Sequence, residues 1–503
     1  MPERISFGKI DVSLTAAIKE AKSAPEQDTP FRIAILGDFT GRVNRGILNP
    51  SFTGRNPLLV DRDNIDEIIA RFNVEINLPI LGKDSESVTI KFSEMEDFHP
   101  DRLYEKLDVF EALREMRQGI KDSETFASLA KEGITPPLAG GRKEGGDSQV
   151  ANLLDRILDE SEDRKAEYES YPKQPEMERF LREITEPHLV PKDHPKQAEM
   201  IATVDEASGE LMRRILHHPD FQAVESLWRG LYFLVSRLET DENLKIYLFD
   251  ISKEELAADL FSAEDLSKTS IYKILVEQTI NTFGGEPWAV IAGNYRFNQG
   301  AVDIELLGRM AKIARAADVP FISSAMDTVL GCESLAKSPD PDEWEETEES
   351  HAWDALRKIP EAACLGLALP RFLLRLPYGR DTVPVEDFPF QEMPAQPIHE
   401  HYLWGNPSLA CTYLLAQSFI DEGWSFQQGQ VMDIEGMPLH VYKEHGESVS
   451  KPCAEIVLTE KAAEKILDKG LLLILSYRNQ DVIRLARFQS LAHPPANLAG
   501  RWG

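Results

Sequence analysis

The chain is poor in cysteine, and the few it has are scattered. Cys332, Cys364, Cys411 and Cys453 form no C-x-x-C pair, so neither a zinc site nor a disulfide framework is indicated. Sparse cysteine of this kind fits a reducing cytoplasm. Long apolar runs are also missing: stretches such as GLLLIL from Gly470 fall far short of the ~18 residues that a membrane span requires. GLLLIL reads as a buried strand, and no membrane insertion is expected. MPERISFGKIDVSL at the start shows no basic-then-apolar signal pattern. Positive charge is outweighed, with 55 Lys and Arg against 85 Asp and Glu and a formal net charge of −30. Phosphate backbones would be repelled, which argues against a nucleic-acid partner; acidity also keeps a large protein soluble.

Catalytic signatures are absent as well. Gly37-Asp38-Phe39-Thr40-Gly41-Arg42 lacks the G-x-x-x-x-G-K-[ST] spacing of a phosphate loop and reads as a structural turn. Neither H-E-x-x-H nor a G-x-S-x-G elbow occurs. His399-Glu400-His401 offers donors on one short stretch, but with no cysteine nearby a metal site is not expected. Nothing calls for a cofactor, and no enzyme is expected.

What is present is a large α/β pattern. At 503 residues, 42% of them hydrophobic, the chain exceeds one ordinary core and is expected to hold two to four domains. FRIAILGDF from Phe31 reads as a buried strand ending in a tight turn. IDEIIARF, after Asp61-Arg62-Asp63-Asn64, reads as an N-capped helix. NVEINLPI and SVTIKF alternate as half-buried strands do. The spacing of Leu103, Leu107, Phe110, Leu113 and Met116 predicts one helix starting at Pro100. A further short helix is expected over Ser123–Leu129. Residues 133–147, GITPPLAGGRKEGGD, cannot continue a helix or a strand and read as a linker. Beyond it Val150, Leu153, Leu154, Ile157 and Leu158 form an apolar helical stripe. Helices are expected over Glu206–His217 and Phe221–Leu238. From Asn243 strand and helix alternate, with SIYKILVEQTINTF read as helix, which argues for mostly parallel strands with flanking helices. The acidic run Asp340–Glu349 reads as a solvated loop or helix start, and a strand–helix–strand–strand pattern closes the chain from Glu455 to Gln489.

Several blocks carry a resemblance. FRIAILGDFTGR, LLVDRDNIDEIIARF and MEDFHPDRL resemble successive blocks of the small sheath subunit of type VI secretion systems (TssB/VipA-like). LLDRIL, IATVDEASGELMRRILHHPDFQAVESLWRGLYFLV, GGEPWAVIAGNYRF, LPRFLLRLPYG and YLWGNPSLACTYLL resemble the large subunit (TssC/VipB-like), in that family's order. The resemblance implies a fusion: a small-subunit α/β domain over 1–132 packed against a larger α/β sheath domain over 205–503. The stretch 133–147 would join them, and 148–204 would form the large subunit's helical N-terminal region. It also implies a cytoplasmic structural protein that polymerises with other sheath subunits around an inner tube, on a baseplate, and drives the tube's ejection by contraction. The stripe Val150–Leu158 resembles the helix gripped by an AAA+ unfoldase (ClpV-like). Large subunits usually continue beyond the block matched by RLARFQSLAHPP, whereas this chain stops at Gly503. That departure raises an alternative, an accessory protein that caps, nucleates or limits a sheath of full-length subunits. Arg42, Trp228, Arg229, Arg371 and Arg375 are the candidate interface residues; Arg371, Arg375 and Arg380 stand out as cations in an acidic chain.

Overall fold

A computed structural model describes residues 6–10, 25–49, 52, 55–80, 87–122, 195–279, 285–345 and 350–502. The expected short helix over Ser123–Leu129, the Gly/Pro stretch 133–147 and the apolar stripe Val150–Leu158 lie outside them.

The chain builds β1 (Phe31–Gly37), β2 (Leu58–Val60), α1 (Ile65–Phe72) and a hairpin of β3 (Val74–Leu78) with β4 (Val88–Phe92). Helices α2 (Pro100–Lys106) and α3 (Glu111–Lys121) complete the first part. The second begins with α4 (Pro195–Leu216) and α5 (Pro219–Arg237), then β5 (Leu244–Asp250), α6 (Lys253–Phe261), β6 (Val290–Phe297), α7 (Ala301–Ala317) and β7 (Phe321–Ala325). It continues through α8 (Ser350–Arg357), β8 (Leu365–Leu369), a small ribbon of β9 (Phe372–Leu373) and β10 (Trp404–Gly405), and α9 (Pro407–Glu422). It closes with β11 (Asp433–Ile434), the hairpin β12 (Val441–Glu444) and β13 (Glu447–Ser450), α10 (Glu460–Asp468), β14 (Leu472–Ser476) and β15 (Ile483–Leu485).

Nine strands form one sheet in the order β11-β15-β14-β8-β7-β6-β1-β5-β2. Every pair from β14 to β5 is parallel, and the strands beyond them at each edge are antiparallel. β1 sits between β5 and β6, with Phe31 opposite Leu244 and Ile33 opposite Val290. The alternation of its side chains explains the apolar run FRIAIL. Phe31, Ile33 and Ile35 enter the core shared with α4, α5 and α9, while Ala34 and Leu36 enter the core shared with α6 and α7. A strand covered on both faces needs apolar residues at successive positions.

Four local readings differ from the structure. The helix expected from Pro100 is broken: Leu107 is extended (φ −85°, ψ 128°), and a 3₁₀ turn, Asp108–Phe110, separates α2 from α3. Leu103, Leu107, Phe110 and Leu113 are all buried nonetheless. The break is stabilised by Arg114, whose guanidinium donates to the Tyr104 and Leu107 carbonyls at the end of α2. Within SIYKILVEQTINTF, a helical turn at Ser270–Tyr272 widens into a π-helix over Lys273–Glu277. The strand expected at Glu455 is only a bridge between Ala454 and Phe372, closed by the Glu455 amide on the Arg371 carbonyl and the Leu373 amide on the Cys453 carbonyl; the Glu455 carboxylate accepts from the Arg371 guanidinium. At α1, Asn64 makes no side-chain cap. Asp61 instead accepts from the Asp63 and Asn64 amides and turns the chain into the helix.

Candidate interface between the two segments

The turn after β1 brings the first group of candidate side chains together. Asp38 accepts from the Arg42 and Val43 amides, 2.9 Å each. Gly41 has φ +72°, and a Cβ there would lie 2.7 Å from the Glu75 carbonyl, so the turn requires glycine. The turn aims Arg42 across the sheet at the second segment. Its guanidinium contacts the Asp250 carboxylate at the end of β5, the Asp250 carbonyl (2.9 Å) and Glu255 (2.8 Å). Arg55 adds two more bonds to Glu255, at 2.8 and 2.9 Å.

Glu255 is fully buried. It belongs to a capping box with Ser252 at the start of α6. Burial acts to raise its pKa, but hydrogen bonds from Arg55, Arg42 and the Ser252 and Asn49 amides outweigh it, and the carboxyl is held down to about 2. Burial raises Asp250 against the opposing pull of Arg42.

A second contact is apolar. Trp228, at the middle of α5, is completely buried and donates from Nε1 to the Phe39 carbonyl, 3.0 Å. Phe39, Phe72 and Trp228 pack within 5.2–6.1 Å of one another. Phe92 and Phe98 stack at 4.2 Å and both touch Phe221 at the start of α5. At the other end of β1, Phe31 packs on Phe419 and Trp424, and Trp424 Nε1 donates to the Thr29 carbonyl. Arg117 of α3 pairs with Asp205 of α4 at 2.6 Å.

The other candidate arginines are held inside the second segment. Arg229 reaches Glu225 (2.6 Å) and the Tyr378 hydroxyl (2.8 Å). Arg375 lies between Glu225 and Glu392, 2.8 Å from each, and both carboxylates are buried. Glu392 is held down to about 2: its burial is outweighed by Arg375 and by the nearby His217, whose Nε2 lies 3.6 Å from the carboxylate. Arg371 pairs with Glu455 at 2.6 Å, and Arg380 is exposed. The two segments meet near this network where His99 packs edge-on to Tyr378 at 4.9 Å.

Sequence reasoning selected the arginines and missed the carboxylates that hold them. One signal was readable: Ser252 followed three residues later by Glu255 is a capping box. A lone Glu225 inside the apolar run of α5 was another. Among the described residues no group of three or more His, Cys, Asp or Glu is placed to hold a metal; His399 instead contacts Glu455 at 3.2 Å and His401 stacks on His217 at 3.8 Å. No helix among them is long and apolar enough to cross a membrane.

Two segments thus complete one sheet and are joined by buried charge and aromatic packing. A family model described as EvpB/VC_A0108, tail sheath N-terminal domain (VipB), matches residues 198–492, and another, described as type VI secretion system, VipA, VC_A0107 or Hcp2, matches residues 4–128. The chain is also similar to the type VI secretion system sheath protein TssC1 of Pseudomonas aeruginosa, 36% identical over 333 residues that cover 62% of this chain and 67% of that protein. The chain belongs to the VipB tail-sheath family and carries a VipA-family segment ahead of it. It is a structural component of a type VI secretion sheath, not an enzyme, and sheath subunits are its partners.

Proposed function

We propose that this chain is a ready-joined sheath protomer, working in the cytoplasm, that stacks with its copies around an inner tube and ejects it on contraction. Assembly would start from a baseplate, and an AAA+ unfoldase (ClpV-like) would recycle the contracted form through Val150, Leu153, Leu154, Ile157 and Leu158. The observation that carries this reading is the position of β1. A strand from the VipA-matching part lies hydrogen-bonded between β5 and β6 of the VipB-matching part. One polypeptide thus supplies both sheath components in fixed one-to-one ratio and at high effective concentration. Repeated head-to-tail contacts between such units generate open helical filaments, and contraction is a switch of those contacts to a second packing.

The test is electron microscopy of the purified chain with and without an inner-tube protein. Tubes of uniform diameter are expected, lengthened when the inner-tube protein is present. If tubes never form, and the chain instead shortens tubes made by separate full-length subunits, the protomer reading fails and the accessory one stands.

A further inference from the structure

The parallel sheet reverses its winding at β1: β5 lies on one side, and β6, β7 and β8 follow on the other. In open α/β sheets the crevice outside the carboxyl ends of the strands at such a point is the usual ligand site. Here that position holds a recess of about 440 Å³ between β6, the first turns of α5 and the β10 ribbon. A smaller one of about 270 Å³ adjoins it above β1 and β5. Ala223, Asn294 and Arg296 line both.

Asn294 and Arg296 are two residues apart on β6 and so share a face. The pairing of β6 with β7 shifts register between Ala292 and Arg296, a bulge of the kind that re-aims side chains beside binding sites. The Gly293 and Tyr295 carbonyls of the bulge have donors: Ser323 Oγ lies 2.9 and 3.0 Å from them and gives its one proton to either, Ser408 Oγ reaches Gly293 at 3.3 Å, and Asn406 Nδ2 donates to Tyr295 at 3.0 Å. By contrast, Asn294 Oδ1 and Arg296 Nε are buried with no hydrogen-bond partner.

The neighbouring charges are already engaged. Arg371 and Glu455 hold each other at 2.6 Å, Lys253 holds Asp303 at 2.7 Å, and Asp327 accepts from the Leu335 amide at 2.9 Å. An orphaned buried donor on a guanidinium is costly unless a ligand completes it. The guanidinium edge of Arg296 matches the flat, two-oxygen geometry of a carboxylate, and Asn294, whose Oδ1 only accepts, can add to it through its Nδ2–H donors alone. Glu400 stands on the rim of the larger recess, and Asp38, Asp220 and Glu254 line the smaller. These carboxylates disfavour phosphate, which concentrates up to two charges on one group, more than a carboxylate group, which carries one.

We propose that this recess binds a carboxylate group, seated on Arg296 and Asn294, supplied either by an Asp or Glu side chain of a neighbouring sheath subunit or by a free carboxylic acid. The site does not depend on tube formation, so its failure and that of the protomer reading are separable.

The test is a thermal melt of the full chain at constant ionic strength with glutarate, with a tetraglutamate peptide and with inorganic phosphate. At saturation a carboxylate probe is expected to raise Tm by about 2 °C. Arg296→Met, which keeps the apolar stem, abolishes the rise. Asn294→Asp places a carboxylate inside the recess, so it also abolishes the rise, while its own Tm without probe equals or exceeds that of the parent. A response to glutarate alone identifies a free acid; a response to the peptide, accompanied by shortened sheaths for Arg296→Met, identifies a neighbour's side chain. The proposal is overturned if neither carboxylate probe shifts Tm, if the shift survives both substitutions, or if phosphate shifts Tm more than either.

Discussion

At the residue scale, the join between the segments depends on a few buried carboxylates. Glu255 gathers Arg42, Arg55 and two backbone amides around a side chain with no exposure. Replacing it by Gln leaves both guanidiniums beside a single carboxylate, Asp250. Breaking a buried pair by removing one partner costs roughly 3–5 kcal/mol, which denaturant melts at pH 7 will register for Glu255→Gln. The pH dependence has a definite sign. The carboxyl falls from 4.5 to about 2 on folding, so its stabilisation is complete above pH 4.5 and is lost as pH drops toward 2. The gap between parent and variant should therefore close over that window; a gap that stays constant with pH would remove Glu255 from the account. Little of this was legible beforehand. Arg42 was named as an interface candidate, and Arg371 and Arg375 stood out as cations in an acidic chain, but they have partners 213, 84 and 150 positions away. Sequence spacing carries no information about such distant pairs.

At the element scale, β1 and α1 and the strand–helix alternation after Asn243 were readable, because burial on one or both faces imposes a periodicity. The break at Leu107 was not. Apolar spacing continues through it, and only the carbonyl partners of Arg114 distinguish one helix from two. The placement of the N-terminal stretch was equally opaque. Its residues 6–10 lie on the second segment: Lys9 exchanges backbone bonds with Glu264 and Leu266, at 2.9 and 2.8 Å. Phe7 sits over Gly308 of α7, where an added Cβ would come within 2.0 Å of its ring. Inside a helix Gly→Ala ordinarily gains about 1 kcal/mol; at position 308 the methyl would displace Phe7. We expect Gly308→Ala to leave Tm nearly unchanged and to accelerate tryptic cleavage after Lys9 several-fold, read by mass spectrometry. An unchanged cleavage rate would mean that Phe7 does not anchor the segment.

At the scale of the whole molecule, the two family segments share one sheet instead of meeting surface to surface. Without β1, the facing edges of β5 and β6 would carry unpaired N–H and C=O groups. The apolar surfaces that receive Phe31, Ile33 and Ile35 on one side, and Ala34 and Leu36 on the other, would open to water. Joining the segments covalently removes the need to find that strand by diffusion, and closure of even a long connection costs entropy only logarithmically in its length. A chain divided after residue 147 tests this directly. Residues 148–503 expressed alone should aggregate or melt without cooperativity, because the gap sits at the middle of the sheet and not at an edge. Co-expression with residues 1–147 should restore a soluble one-to-one complex in gel filtration. That complex should also lose its two halves on dilution, which the uncut chain cannot do. A cooperative, monomeric 148–503 fragment with a Tm near that of the parent would show that β1 is a dispensable insertion, and the shared sheet would cease to explain why the two families travel in one chain.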